Sequence, residues 1–111
     1  MSERRPPRDE LFGFYYLGFT PEGEYRFPNA HRVAAYYGVS ADAVLRWLEE
    51  HGLDPATVGR KTIELSRHSV DLQMEQPNLT PEAVRERIAE ILDEFDQAGT
   101  GRKPWRDGPI T

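Results

Sequence analysis

Hydrophobic residues are spaced in two ways along this chain. Between Leu11 and Phe27 they crowd or alternate, and from Val33 onward they recur mostly every three or four positions. Leu11 to Phe19 reads Leu-Phe-Gly-Phe-Tyr-Tyr-Leu-Gly-Phe. Aromatic residues favour strands, and two internal glycines argue against a helix. Thr20-Pro21-Glu22-Gly23 places proline and glycine as a type I turn prefers them. Tyr25 and Phe27 then alternate with Glu24 and Arg26. The pattern predicts an N-terminal β-hairpin, with Gly13 and Gly18 marking bulges or a close backbone approach.

The rest of the chain reads as helix. Asn29 is placed to cap a helix over residues 30–37 that Gly38 ends, and Ser40 to cap a second that runs to about Glu50 and stops at His51-Gly52. Asp54 and Pro55 open a short helix that Gly59 closes. Residues 60–76 are ambiguous: Ile63, Arg67, Val70 and Met74 would share a helical face, but the same stretch also alternates. A helix over 66–75 with an extended approach at 61–65 is the better fit. Thr80, Pro81 and Glu82 open the clearest helix, with Val84, Ile88, Ile91, Leu92 and Phe95 as its apolar stripe and Gly99 as its end.

Composition narrows the class. A chain of 111 residues is one domain's worth and can bury one modest core. It contains no cysteine, so it has neither a disulfide framework nor a thiolate metal site. No apolar run suggests a signal peptide or approaches the ~18 residues a membrane helix needs. These features predict a cytoplasmic protein. The formal net charge of −5 is unevenly spread: residues 9–101 carry −9 and the flanking ends +4. Residues 1–10 and 100–111 read as loose basic arms around a domain at 11–99. An acidic body repels a phosphate backbone, although Arg4, Arg5, Arg102 and Lys103 on the arms can reach one.

One motif stands out. Residues 30–48 read Ala-His-Arg-Val-Ala-Ala-Tyr-Tyr-Gly-Val-Ser-Ala-Asp-Ala-Val-Leu-Arg-Trp-Leu. Two helices that cross steeply need a small contact residue, and Ala34 supplies it. The tight turn needs a left-handed backbone, which Gly38 tolerates. Val33, Tyr37, Val39, Val44 and Trp47 fall where the two helices would bury contacts. Residues 30–52 resemble the helix-turn-helix of bacterial regulators, particularly the MerR and excisionase type, through Ala34, Gly38, Val39, Ser40, Val44 and Trp47. The resemblance covers under a quarter of the chain. It implies a second helix whose early residues, Ser40, Ala41, Asp42, Leu45 and Arg46, face base edges in a DNA reader. Among these, only Arg46 is a good base-contacting residue, and Asp42 would face phosphate. That departs from the Thr, Arg, Ser or Tyr usual at such places.

The aromatic cluster offers a second candidate surface. Phe12, Phe14, Tyr15, Tyr16 and Tyr25 would leave one hairpin face open to a protein partner, while about half the cluster packs the core. Trp105, beside Arg102, Lys103 and Arg106, reads as a short docking peptide or as an indole folded back on the domain. The acidic residues of helix 81–98 read as an ordinary solvated face. Its apolar stripe reads as core, with a homodimer seam as the alternative. His31, His51 and His68 lack metal-ligand spacing, and His68 and Asp71 would form only a surface pair. No nucleophile elbow, phosphate-cradling loop or paired-histidine motif is present. The chemistry therefore points to binding rather than catalysis, with no metal and no cofactor.

Together these readings predict an α+β, mainly α domain: an N-terminal hairpin on a bundle of about four helices that contains the helix-turn-helix. Val33, Ala34, Tyr37, Val44, Trp47, Leu48, Leu53, Val58, Val70, Ile88, Leu92 and Phe95 should form its core. The favoured function is a small regulatory adaptor that binds protein through the helix-turn-helix and the aromatic hairpin. The alternative is a DNA-binding transcriptional regulator that uses Ser40, Asp42 and Arg46, with the basic arms on the phosphates.

Overall fold

In a computed structural model, residues 5–99 are described. Helix α1 covers Arg8–Phe12 and continues directly into a π-helical turn, Gly13–Leu17. Helices α2 (Ala30–Tyr37), α3 (Ala41–Glu50), α4 (Pro55–Gly59), α5 (Leu65–Glu75) and α6 (Pro81–Gln97) follow, with a 3-10 turn at Gln76–Asn78 before α6.

The N-terminal hairpin is not there. Residues 11–17 are helical, and no strand occurs among the described residues. What survives is the turn: the Gly23 N–H donates to the Thr20 carbonyl at 2.8 Å, and Phe19 and Tyr25 form one isolated antiparallel bridge. The α+β expectation is thereby corrected to a helical fold of six helices rather than about four. The aromatic run misleads because it is buried on most sides. Leu11, Phe12, Phe14 and Leu17 are all 2% exposed or less. A helix covered all round carries no polar stripe to betray its period.

Neither glycine in that run is a bulge. A Cβ on Gly13 would stand 2.7 Å from Ile88 Cδ1 and 2.9 Å from Ile88 Cγ2. Glycine at this position lets the first helical segment lie directly on α6, where Phe12 also meets Phe95 at a centroid distance of 5.6 Å. Gly18 takes the left-handed conformation, φ 88°, and ends the π-helical turn.

The remaining elements pack around this buried segment. Leu17 reaches α5, where the buried Ser69 hydroxyl donates to the Leu17 carbonyl at 2.8 Å. Tyr16 donates to the Leu53 carbonyl at 2.6 Å, fastening the loop after α3; burial pushes its hydroxyl well above the usual tyrosine range. Arg8 donates twice to Asp96 at 2.8 Å and once to the His51 carbonyl at 2.9 Å, so one side chain ties α1 to the ends of α6 and α3. The helix therefore begins inside the stretch that reads as a loose arm.

Four helix starts form as their caps dictate. Asn29, Ser40, Asp54 and Thr80 each accept a backbone N–H three residues on, from Arg32, Ala43, Thr57 and Ala83. The core expectation holds for Val33, Ala34, Val44, Trp47, Leu48, Leu53, Ile88, Leu92 and Phe95. Tyr37 and Val58 are half-buried, and Val70 is 52% exposed. Helix α5 turns Leu65, Ser69 and Leu72 inward, not Val70 and Met74. Its inner face contains a serine satisfied by a carbonyl, so counting apolar residues selects the wrong face.

Two outcomes follow from this packing. Gly13→Ala should destabilise the fold by about 1–3 kcal/mol through overpacking, offset in part by the roughly 1 kcal/mol that alanine gains over glycine in a helix. Adding Ile88→Val, which removes Cδ1, should recover part of the loss, so urea melts of the two single variants and the double variant should show favourable coupling. Asp96→Asn should cost about 0.5–1 kcal/mol at neutral pH, a modest value because Arg8 and Asp96 are both partly exposed. The hydrogen bond from Arg8 holds the Asp96 carboxyl below its ordinary value. That stabilisation is complete above the unfolded carboxyl pKa and is lost as pH falls through the lower folded one. Melts of wild type and Asp96→Asn should therefore converge as the pH falls through the lowered folded-state value of Asp96.

Candidate binding surface on α2 and α3

Helices α2 and α3 are joined by residues 38–40. Gly38 adopts φ 69°, and the Val39 N–H returns to the Ala34 carbonyl at 3.0 Å. Val33, Ala34, Val44, Trp47 and Leu48 are buried. Tyr37 spans the junction: its ring meets Trp47 edge-on at 5.7 Å, and its hydroxyl donates to Glu10 at 2.6 Å. Burial, then that hydrogen bond, push the Tyr37 hydroxyl far above its usual range. The pair is thus held by its own contacts and by α1, which leaves its outer faces to solvent.

The outer face of α3 presents Asp42, Leu45, Arg46, Glu49 and Glu50. Leu45, 40% exposed, is a large apolar side chain among charges. Asp42 lies in the first turn, where its charge complements the positive end of the helix. The Ser40 hydroxyl oxygen is occupied as the cap of Ala43. Arg5 pairs with Glu50 at 2.8 Å, at the far end of the same helix.

The outer face of α2 carries Arg32, Ala35 and Tyr36 at helical spacing. They form one wall of a cleft of about 350 Å³, with Arg26, Glu22 and Glu24 from the preceding loop on the other side. Tyr36 closes one side by donating to Glu22 at 2.7 Å, and its ring stands edge-on to Phe14 at 5.2 Å. That hydrogen bond lowers the Glu22 carboxyl from its usual value and raises the Tyr36 hydroxyl to about 12.

The aromatic candidates separate sharply. Phe12 and Phe14 are core, at 0% and 2% exposure, and offer no docking surface. Tyr15 and Tyr16 are half-buried against that core. Tyr25 is 37% exposed and stacks edge-on with Phe19. The hairpin face proposed as a patch does not exist, because the hairpin does not. Arg4, Arg102, Lys103 and Trp105 lie outside the described residues. The residues that pattern reading passes over are Arg32 and Tyr36, and Leu45 is named there only as a position facing DNA. Their signal was available: Arg32, Ala35 and Tyr36 fall at i, i+3 and i+4, opposite the buried Val33 and Ala34, and Leu45 interrupts a polar face.

His68 approaches Glu94 at 3.7 Å rather than Asp71. Among the described residues no group of three His, Asp or Glu side chains is placed to hold a metal ion. No helix among them is long and apolar enough to cross a membrane. Comparison with protein-family models, with curated proteins and with solved structures gave no match to this chain.

Proposed function

We propose that the protein is a small regulatory adaptor that binds another protein through the outer faces of α2 and α3. The observation that carries this reading is the exposed face of α3. Where a DNA reader presents Arg, Lys, Asn or Gln to base edges and phosphates, this helix presents Asp42, Glu49, Glu50 and Leu45 beside one arginine, Arg46. Asp42 and Glu49, beside a Glu50 already paired with Arg5, repel a polyanion on this face. An exposed leucine flanked by charges is instead the composition of a small interface core with a polar rim. The outer face of α2 offers a second contact: Tyr36 and Arg32 line one cleft, and hot spots are enriched in tyrosine and arginine.

Two measurements test the reading. Fluorescence anisotropy against mixed duplex fragments should show no binding even at low salt. Non-specific affinity of about 10⁻⁴ to 10⁻⁶ M that weakens steeply with salt would instead make α3 a DNA reader. A photo-crosslinker at position 45 (Leu45→p-benzoylphenylalanine), introduced in the native cell, should yield a discrete protein adduct. The same group in place of Glu82, at the start of α6, should not. Adducts to nucleic acid, or equal adducts at both positions, would contradict the proposal.

A further inference from the structure

Helix α5 turns Leu65, Ser69 and Leu72 to the core and carries a different set of side chains on its far side. Arg67, Val70, Asp71 and Met74 are all exposed there, at i, i+3, i+4 and i+7. Val70 is 52% exposed and Met74 73%, and a spacing of four stacks them into one apolar patch. The charges beside the patch are nearly unused. The Asp71 carboxylate makes no hydrogen bond or ion pair among the described residues. Arg67 reaches only Glu64, at 4.0 Å. The other ionisable groups of α5 are engaged with α6: His68 approaches Glu94 at 3.7 Å, and Glu75 pairs with Arg87.

We propose that this face of α5 is a contact between two copies of the chain, packed antiparallel about a two-fold axis beside Val70 and Asp71. The contact uses a helix outside the α2–α3 surface and does not depend on it.

Charge complementarity identifies the occupant. In a two-fold contact a surface meets its own reversed image. With the axis midway between residues 70 and 71, Val70 meets Val70 of the second copy, and Met74 lies level with the aliphatic stem of Arg67. Arg67 and Asp71 of the second copy are then about 4.5 Å apart along the axis, at 1.5 Å of rise per residue, within reach of an arginine side chain. Symmetry forms this pair twice. Glu64 falls opposite Pro77 and meets no like charge. A uniformly acidic or basic partner would instead meet one repulsion for each attraction. The rest of the surface favours the same choice. Residues 9–101 carry −9, so two copies repel over most approaches, whereas Arg67, Val70, Asp71 and Met74 sum to zero. Two apolar side chains from each copy make a contact smaller than the ~1,200 Å² of stable complexes, so the association is weak and reversible.

Sedimentation velocity of the whole chain, from about 10 μM to about 1 mM, should show a monomer–dimer equilibrium with a dissociation constant of about 0.1–1 mM. Arg67→Glu and Asp71→Arg alone should each weaken it about tenfold, because both pairs become repulsive. An equimolar mixture of the two variants should recover the association as a heterodimer in which both pairs are attractive again. Val70→Ser/Met74→Ser should abolish it, whereas Arg85→Glu, the same reversal on the exposed side of α6, should not. Every substituted residue is exposed, so far-UV circular dichroism should be unchanged throughout. A wild-type chain that stays monomeric at about 1 mM, a dimer indifferent to the changes at 67 and 71, equal weakening by Arg85→Glu, or a mixture that fails to recover the association would each overturn the proposal.

Discussion

The close contact of Gly13 with Ile88 is the constraint on which the rest of this structure depends. A Cβ at position 13 would stand under 3 Å from Ile88, so glycine lets α1 and its π-helical continuation lie on α6 without displacing that side chain. That approach buries Leu11, Phe12, Phe14 and Leu17 almost completely. Each such side chain contributes about 1.5–3 kcal/mol when withdrawn from water. All four are among the largest fully buried side chains of the described residues. The segment is therefore the centre of the domain.

From that centre, order passes outward through a few directed contacts. Phe14 meets Tyr36 and Tyr37, and Tyr37 meets Trp47, so one ring sequence connects the buried segment to α2 and α3. Ser69 brings α5 to Leu17, and Arg8 draws the ends of α3 and α6 together. With their inner faces committed to these contacts, α2 and α3 present what remains: Arg32 and Tyr36 on one helix, and Leu45 within an acidic face on the other. The binding reading rests on that residue of charge and apolar surface.

What could be read from the sequence was local, and what could not was tertiary. Asn29, Ser40, Asp54 and Thr80 announce their helices because each cap is a short-range hydrogen bond written within four residues. The stripe of α6 is legible because one face is buried and the other is wet. The first segment is not legible in the sequence because its partners come from distant parts of the chain. Gly13 looks like a helix breaker until Ile88 stands against it, and the aromatic residues look like strand until they are seen to be covered on nearly every side. The inner face of α5 is hidden in the sequence for a related reason. Ser69 is acceptable there only because the Leu17 carbonyl waits for its hydroxyl. The candidate surface was half legible: the acidic face of α3 stands in the sequence, whereas the aromatic patch assigned to Phe12 and Phe14 belongs to the core.

Native-state amide hydrogen exchange tests the central claim most directly. If the first helical segment is the centre of the fold, the amides of Phe14 to Leu17 should open only with the whole domain, and so exchange with the same free energy as the middle of α6 around Ile88 to Leu92. Exchange of residues 14–17 through a separate, lower-energy opening while α6 stays protected would contradict the account. It would make the segment an accessory strap on a bundle that stands without it.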